Sequence, residues 1–252
     1  MCWSQGACLW LIRRDLLSDR CQKEEPVMPI ARSPTLSLRA SGPLACFTRP
    51  ELKVERMSYP VMTPSAARGL LEAIAWKPAI HWHVERIRVL QGIRFTSFRR
   101  NEVNSRAVAP PAAVIASGGE VRPYFADADR AQRNTVALCD VDYVVEAHFT
   151  MTDRAGPSDN VAKFVDIFQR RLQRGQHFHQ PYLGCREFAA DVRPADGAPP
   201  PIDETRDLGL MLWDIEFAPD GNRPLFFEAR LDRGILEVPT ESPAVRAKGG
   251  DA

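Results

Sequence analysis

The stretch Val141-Asp142-Tyr143-Val144-Val145-Glu146-Ala147-His148-Phe149-Thr150-Met151 sets apolar side chains at 141, 143, 145, 147, 149 and 151 against Asp142, Glu146 and His148 between them. A period of two puts the first set on one face of a β-strand and the second on the other, because successive Cβ atoms point to opposite sides of a pleated backbone. Such a strand is half buried, so another layer has to cover its apolar face. The next apolar set, Val161, Phe164, Phe168 and Leu172, steps by three and four. That spacing predicts one face of a helix, ended by Gly175, with Lys163, Arg170, Arg171 and Arg174 off that face. A strand over about 183–192 is expected to follow.

Upstream, Ile80, Trp82 and Val84 alternate with His81 and His83, and the alternation slips before Ile87. Both halves keep one face buried only with a bulge near Glu85-Arg86, which leaves His81, His83, Arg86 and Arg88 on the other face. Before that strand, Thr63 caps and Pro64 opens a helix whose Ala67, Leu70, Leu71 and Ile74 share a side, and Lys77-Pro78 ends it. Leu36, Leu38 and Ala40 predict the first strand, resuming through 44–47 after Gly42-Pro43. Gln91-Gly92 turns into a strand through Ile93 and Phe95 that closes at Arg99-Arg100-Asn101. Residues 104–135 lack periodicity and are expected as an inserted loop.

The order strand, helix, strand, strand, helix, strand predicts an α+β, ferredoxin-like (RRM-like) βαββαβ domain over 31–192. Pro199-Pro200-Pro201 then marks a linker. Met211, Trp213, Ile215 and Phe217, a Pro219-Asp220-Gly221-Asn222 turn, 225–231, an Asp232-Arg233-Gly234 turn and 235–238 predict a small antiparallel β-sheet domain over 205–240. So small a sheet needs a partner to pack on. Residues 1–30 show no periodicity and are expected as an N-terminal extension, either a misassigned start or a disordered arm; 241–252 is a tail.

The 252 residues are 44% hydrophobic and 26% charged, an ordinary globular balance. No stretch reaches the ~20 apolar residues of a membrane span, and the short apolar run over 7–12 precedes its charges rather than following them, unlike a secretion signal. A cytoplasmic protein that contacts no membrane is the expectation. Cys2, Cys8, Cys21, Cys46, Cys139 and Cys185 form no Cys-x-x-Cys pair. They are therefore expected as free thiols rather than zinc ligands or a disulfide framework, and no metal or cofactor is called for. Charge is unevenly spread: nine arginines face five acids over 85–133, a balance of +4, and ten acids face four arginines over 201–241, a balance of −6. Only five of the 33 basic residues are lysines. The arginine fork suits phosphates and base edges, and a GC-rich genome produces the same bias.

A βαββαβ sheet covers one face with helices and can offer the other to single-stranded RNA, although a fold alone does not define a function. The segments 46–56 (Cys46-Phe47-Thr48-Arg49-Pro50 onward), 61–74 (Val61-Met62-Thr63-Pro64 onward), Trp76-Lys77-Pro78-Ala79-Ile80 and 93–103 (Ile93-Arg94-Phe95-Thr96 onward) stand in this order. Segments 178–188 (Phe178-His179-Gln180-Pro181-Tyr182-Leu183-Gly184-Cys185-Arg186-Glu187-Phe188) and Asp207-Leu208-Gly209-Leu210-Met211-Leu212 follow them. Over about 35–245 the chain resembles the Cas-five family of CRISPR proteins, subtype I-C. The resemblance implies an RNA-binding subunit of Cascade, beside its backbone and large subunits, that cuts CRISPR repeat RNA without a metal and keeps the 5′ handle of the crRNA.

In that family the ribose 2′-hydroxyl attacks the adjacent phosphate. A base, an acid and a cation assist, the first two each worth roughly 10²- to 10⁴-fold. The resemblance places a Tyr or His just before Trp76 and a Lys-His pair at the opening of the second helix. Here those positions hold Ala75, Lys163 and Phe164. Lys163 is thus the candidate phosphorane stabiliser, and an exposed helical lysine is its plain alternative. His179 is the first candidate to replace the missing imidazole, ahead of His177, His81 and His83, each of which also reads as ordinary surface. Lys53, Arg56, Arg99, Arg100, Arg170 and Arg171 are the candidate phosphate contacts. Ala75 and Phe164 favour a second reading, a structural subunit that holds the handle without cutting, and a free-standing single-strand RNA binder is a third.

Overall fold

The computed structural model describes residues 31–240 apart from 53, 122 and 220, together with 245–246. In chain order the elements are β1 (Leu36–Ala45), β2 (Arg56–Met57), α1 (Pro64–Ile74), β3 (Ile80–Val89), β4 (Phe95–Val103), α2 (Ala112–Ala116), a 3-10 turn (Ala126–Asp129), β5 (Arg130–Met151), α3 (Val161–Gln173), β6 (Asp191–Arg193), β7 (Arg206–Ala218), β8 (Gly221–Asp232), β9 (Ile235–Glu237) and β10 (Val245–Arg246). These strands form one sheet in the order β10-β8-β9-β3-β5-β1-β6, with β2 and β4 also pairing with β5, and β7 with β8. The expected N-terminal extension over 1–30 and most of the tail over 241–252 lie outside the described residues.

The 22-residue β5 is the spine of this sheet. Its alternating half pairs antiparallel with β1 (Leu38 opposite Val145, Ala40 opposite Tyr143) and with β3 (Trp82 opposite Phe149, Ile87 opposite Val145). β1 and β3, joined through α1, flank β5; β5 and β6, joined through α3, flank β1. The register shifts between Val84 and Arg86, so the bulge that the apolar pattern demands is present. Ile80, Trp82, Val84, Ile87 and Val89 are buried on both sides of it.

Three segments differ from the sequence reading. The last six residues of the expected loop over 104–135 belong to β5, which pairs with β4 from Val103 opposite Arg130 to Phe95 opposite Leu138. The stretch Arg130-Ala131-Gln132-Arg133-Asn134-Thr135 is too polar to show a two-residue hydrophobic period. The strand expected over about 183–192 shrinks to β6, because the chain turns back on itself. Leu183 N donates to Phe188 O (2.8 Å), Cys46 N donates to Leu183 O (3.1 Å), and Gly184 adopts φ +82°. The C-terminal meander β7-β8-β9 does not stand as a sheet of its own: β9 pairs with β3, Leu236 opposite Ile87, and extends the main sheet. The linker is fastened as well, with Ile202 N donating to Val89 O (2.9 Å).

Both long helices start where their caps dictate. Thr63 Oγ1 accepts from Ala66 N (3.3 Å) with Pro64 in the first turn, and Asn160 Oδ1 accepts from Lys163 N (2.9 Å). α3 stops before Gly175, whose φ of +61° provides the left-handed exit. The helices bury Leu70, Leu71 and Ile74 from α1 and Phe164, Phe168 and Leu172 from α3. Between them Trp82 lies edge-on to Phe149 (5.2 Å between centroids) and tilted against Phe168 (5.1 Å), and its indole N–H donates to Ala75 O (2.8 Å). No helix among the described residues is long and apolar enough to cross a membrane.

Gly184 tests the turn that replaces the expected strand. A Cβ there would stand 2.1 Å from Cys46 O, in a left-handed backbone that alanine rarely adopts. Gly184→Ala is expected to cost at least about 1–3 kcal/mol, read as a lowered urea midpoint, whereas Gly69→Ala on α1, where added bulk meets nothing within 4 Å, should not destabilise.

Candidate nucleic-acid interface

Lys163 projects from the first turn of α3, partly exposed, and its Nζ bonds Asp159 Oδ1 at 2.8 Å. That contact, with Lys77 adding to it, holds the Asp159 carboxyl below the usual carboxylate range. Trp76, next to Lys77 in the chain, is 56% exposed, although α1 and β3 on either side of it each bury one face. Ala75, 4% exposed, gives only its carbonyl, and Phe164, 4% exposed, is spent on the core against Phe149. Neither residue presents a group that moves protons.

His177 and His179 follow the last turn of α3 and are exposed. Here Phe178 N donates to Ala73 O (2.7 Å), and Arg171 Nη1 donates to Ile74 O (2.8 Å). Both bonds tie the segment to the end of α1. Phe178 itself is 87% exposed, and the His179 ring lies 6.3 Å from that of Tyr182. Lys163 and His179 therefore sit at opposite ends of a 13-residue helix, roughly 20 Å long. They do not meet over one phosphate.

The arginines fare differently from one another. Arg56 bonds Glu187 Oε1 (2.9 Å) and approaches Glu102 (3.4 Å), and Arg100 bonds Glu102 (2.7 Å), Thr135 Oγ1 (3.0 Å) and Glu187. Strand alternation sends Arg99 to the opposite face of β4, exposed beside Phe95, Ser97 and Asn101. Arg99 and Arg170 are exposed and have no ion-pair partner among the described residues. Lys53 lies outside the described residues. The six expected phosphate contacts thus do not form a single patch: Arg56 and Arg100 form a neutralised cluster, Arg99 faces away from it, and Arg170 and Arg171 lie at the end of α3. Glu187, which joins two arginines 131 and 87 positions away, was not legible from spacing. The exposure of Trp76 was not read from the sequence either, where the residue counts only as the end of the first helix.

The polar face of β3 is less cationic than its sequence implies. Arg86 pairs with Glu146 (3.2 Å) and Glu237 (2.8 Å), and Arg88 with Glu146 (3.2 Å). His83 stacks on His148 (5.0 Å), which bonds Glu85 (2.6 Å), and lies edge-on to His81 (4.7 Å). No group of three His, Cys, Asp or Glu side chains among the described residues is placed to hold a metal ion.

The fold has a known counterpart. A solved structure titled "Crystal Structure of CRISPR-associated Protein" shares the fold at TM-score 0.61 and 21% identity, over 83% of this chain and 94% of that one. The class is thus that of mixed α/β proteins built on one curled antiparallel sheet with few helices. More particularly, the family model described as "CRISPR-associated protein (Cas_Cas5)" matches residues 35–239, and the chain belongs to that family. Two relatives carry the name "CRISPR pre-crRNA endoribonuclease Cas5d". The one from Mannheimia succiniciproducens is 46% identical over 217 residues, 81% of this chain and 94% of its own. The one from Thermus thermophilus is 44% identical over 225 residues, 82% and 92% respectively.

Burial, then the neighbouring His81 and His148, push the His83 imidazole down to about 4. The folded state therefore takes up its proton later than the unfolded chain, whose imidazole titrates near 6.5, so stability falls as pH drops from about 6.5 towards 4. Thermal melts at pH 7 and pH 4.5 should show His83→Gln losing less stability on acidification than the parent, by about 2 kcal/mol once partial exposure is allowed for.

Proposed function

We propose that this chain is the pre-crRNA endoribonuclease of a type I-C CRISPR system, a Cascade subunit that cuts the repeat transcript and stays on the 5′ handle of the product. The observation that carries the reading is its 46% identity, across four-fifths of its length, to a protein bearing that activity in its name. Its partners are CRISPR repeat RNA and the other Cascade subunits, in the cytoplasm, in defence against foreign nucleic acid. We read the interleaved strands β6-β1-β5-β3 with α1 and α3 as a ferredoxin-like βαββαβ unit over 31–192, extended by the antiparallel strands of 205–240.

In this reading the RNA crosses the corner where Trp76 and Lys77 meet the start of α3. A base stacks on the exposed indole and Lys163 faces the scissile phosphate, trading its bond to Asp159 for one to the phosphorane. The 2′-hydroxyl attacks the adjacent phosphorus, the 5′-oxygen leaves, and a cyclic phosphate and a 5′-hydroxyl result. Ala75 and Phe164 are inert, so proton transfer falls to groups outside the family pattern. His179, a helix length from Lys163, together with Arg170 and Arg171, holds the flanking backbone. Arg99, Arg100, Arg56 and Lys53 contact phosphates elsewhere along the path. The inert side chains at 75 and 164 also support a second reading, a subunit that holds the handle and leaves cutting to another protein.

Purified protein incubated with its own repeat RNA in EDTA is expected to give one cut with a cyclic phosphate end. Lys163→Ala should slow that cut by roughly 10²-fold with little change in Kd, and His179→Ala should weaken binding more than the rate of the bound complex. Tight binding with no cut product would select the second reading, and no binding would sink both.

A further inference from the structure

The two thiols Cys46 and Cys185 meet across the turn that Gly184 makes possible. Cys185 Sγ lies 3.5 Å from Cys46 O, and Thr48 Oγ1 stands between the sulfurs, 3.6 Å from Cys46 Sγ and 3.8 Å from Cys185 Sγ. The backbones are held together independently, by Cys46 N donating to Leu183 O (3.1 Å) and by close contact of Gly184 with the Cys46 carbonyl. The surroundings of the two sulfurs differ sharply. Cys46 is buried at 1% exposure, whereas Cys185 is half-buried and receives the Arg56 guanidinium on its sulfur at 3.4 Å.

We propose that Cys185 is an oxidisable thiolate, poised by Arg56 for hydrogen peroxide or a like two-electron oxidant, and that Cys46 resolves the oxidised product into a disulfide. In the first step the Cys185 thiolate attacks one peroxide oxygen and the O–O bond breaks. Sulfur is oxidised to sulfenic acid, and the leaving hydroxide takes a proton to become water. In the second, the Cys46 sulfur attacks Cys185, the S–O bond breaks, and the departing hydroxyl leaves as water with the Cys46 proton. Two thiols and one peroxide give one disulfide and two waters. Contact with the Cys46 thiol, then Thr48 and Arg56, lower the proton affinity of Cys185 against the opposing effects of burial and Glu187. Contact with Cys185 and burial raise that of Cys46. The division of labour follows, since the sulfur that meets peroxide first has to be a thiolate, whereas Cys46 gives up its proton to the departing hydroxyl only as it attacks. Arg56 also pairs with Glu187, which Arg100 shares, so oxidation would take the anionic sulfur away from the arginine-glutamate cluster.

Cys139, half-buried with its sulfur against Arg94 O (3.7 Å), is the reference thiol in the same chain. With the full-length protein at pH 7, limiting iodoacetamide followed by peptide mass spectrometry should label Cys185 about tenfold faster than Cys139, and Arg56→Gln should remove most of that advantage. After hydrogen peroxide, a non-reducing digest should contain the peptide pair linked through Cys46 and Cys185. In Cys46→Ser, dimedone should instead trap the sulfenic acid on Cys185, a readout that needs no disulfide. Equal labelling of Cys185 and Cys139 would overturn the proposal. So would peroxide treatment that leaves Cys185 free of both cross-link and dimedone adduct in a protein whose melting curve shows it folded.

Discussion

Burial of Trp82 is the constraint on which the rest of the arrangement hangs. The ring fills the space between β5 and α3, and its one polar atom finds the carbonyl at the end of α1. Fully burying so large an aromatic is worth several kcal/mol, and an unpaired indole N–H there would cost part of it back. The bond to Ala75 O therefore fixes where α1 stops and where the chain turns towards β3. That turn leaves Trp76 in solvent and carries Lys77 towards the charged opening of α3. The packing that stabilises the sheet thus also sets the place where Lys77 and Lys163 both act on Asp159, with the exposed Trp76 next to Lys77 in the chain.

Electrostatics then sorts the arginines. A net charge of +1 for the whole chain conceals many local pairs: Arg39 with Asp142, Arg68 with Asp214, Arg86 and Arg88 with Glu146, Arg56 and Arg100 with Glu187. Partly exposed pairs of this kind contribute little stability, so a polyanion can displace the carboxylate at modest cost. Glu102 and Glu187 accordingly hold the Arg56 and Arg100 guanidinium groups in paired form at the surface.

Much of the fold was legible because burial follows period. β1, β3, the distal half of β5, α1 and α3 each carry an apolar face whose spacing admits one reading, and even the bulge in β3 follows from where that spacing slips. The proximal half of β5 was illegible because Arg130 to Thr135 buries only its last side chain. β9 joining β3 depends on partners about 150 residues apart, which local pattern does not encode. The site was legible in its residue types and not in its assembly. The opposite facing of Arg99 and Arg100 was already implied by strand alternation, and the separation of Lys163 from His179 by the helix between them. The Arg56-Glu187-Arg100 cluster depends on a tertiary fold in which three segments converge, and no spacing rule announces it.

The bulge at Glu85 also has a bearing on how this strand can change length. Ahead of it the inward side chains are 80, 82 and 84, and beyond it they are 87 and 89. Losing a single position between Val84 and Ile87 would restore strict alternation and leave every inward side chain inward. The same loss at Trp82 would turn one part of the strand inside out relative to the other. A β3 shortened there would keep its interior at the expense of one of the charges that now stand at Glu85 and Arg86.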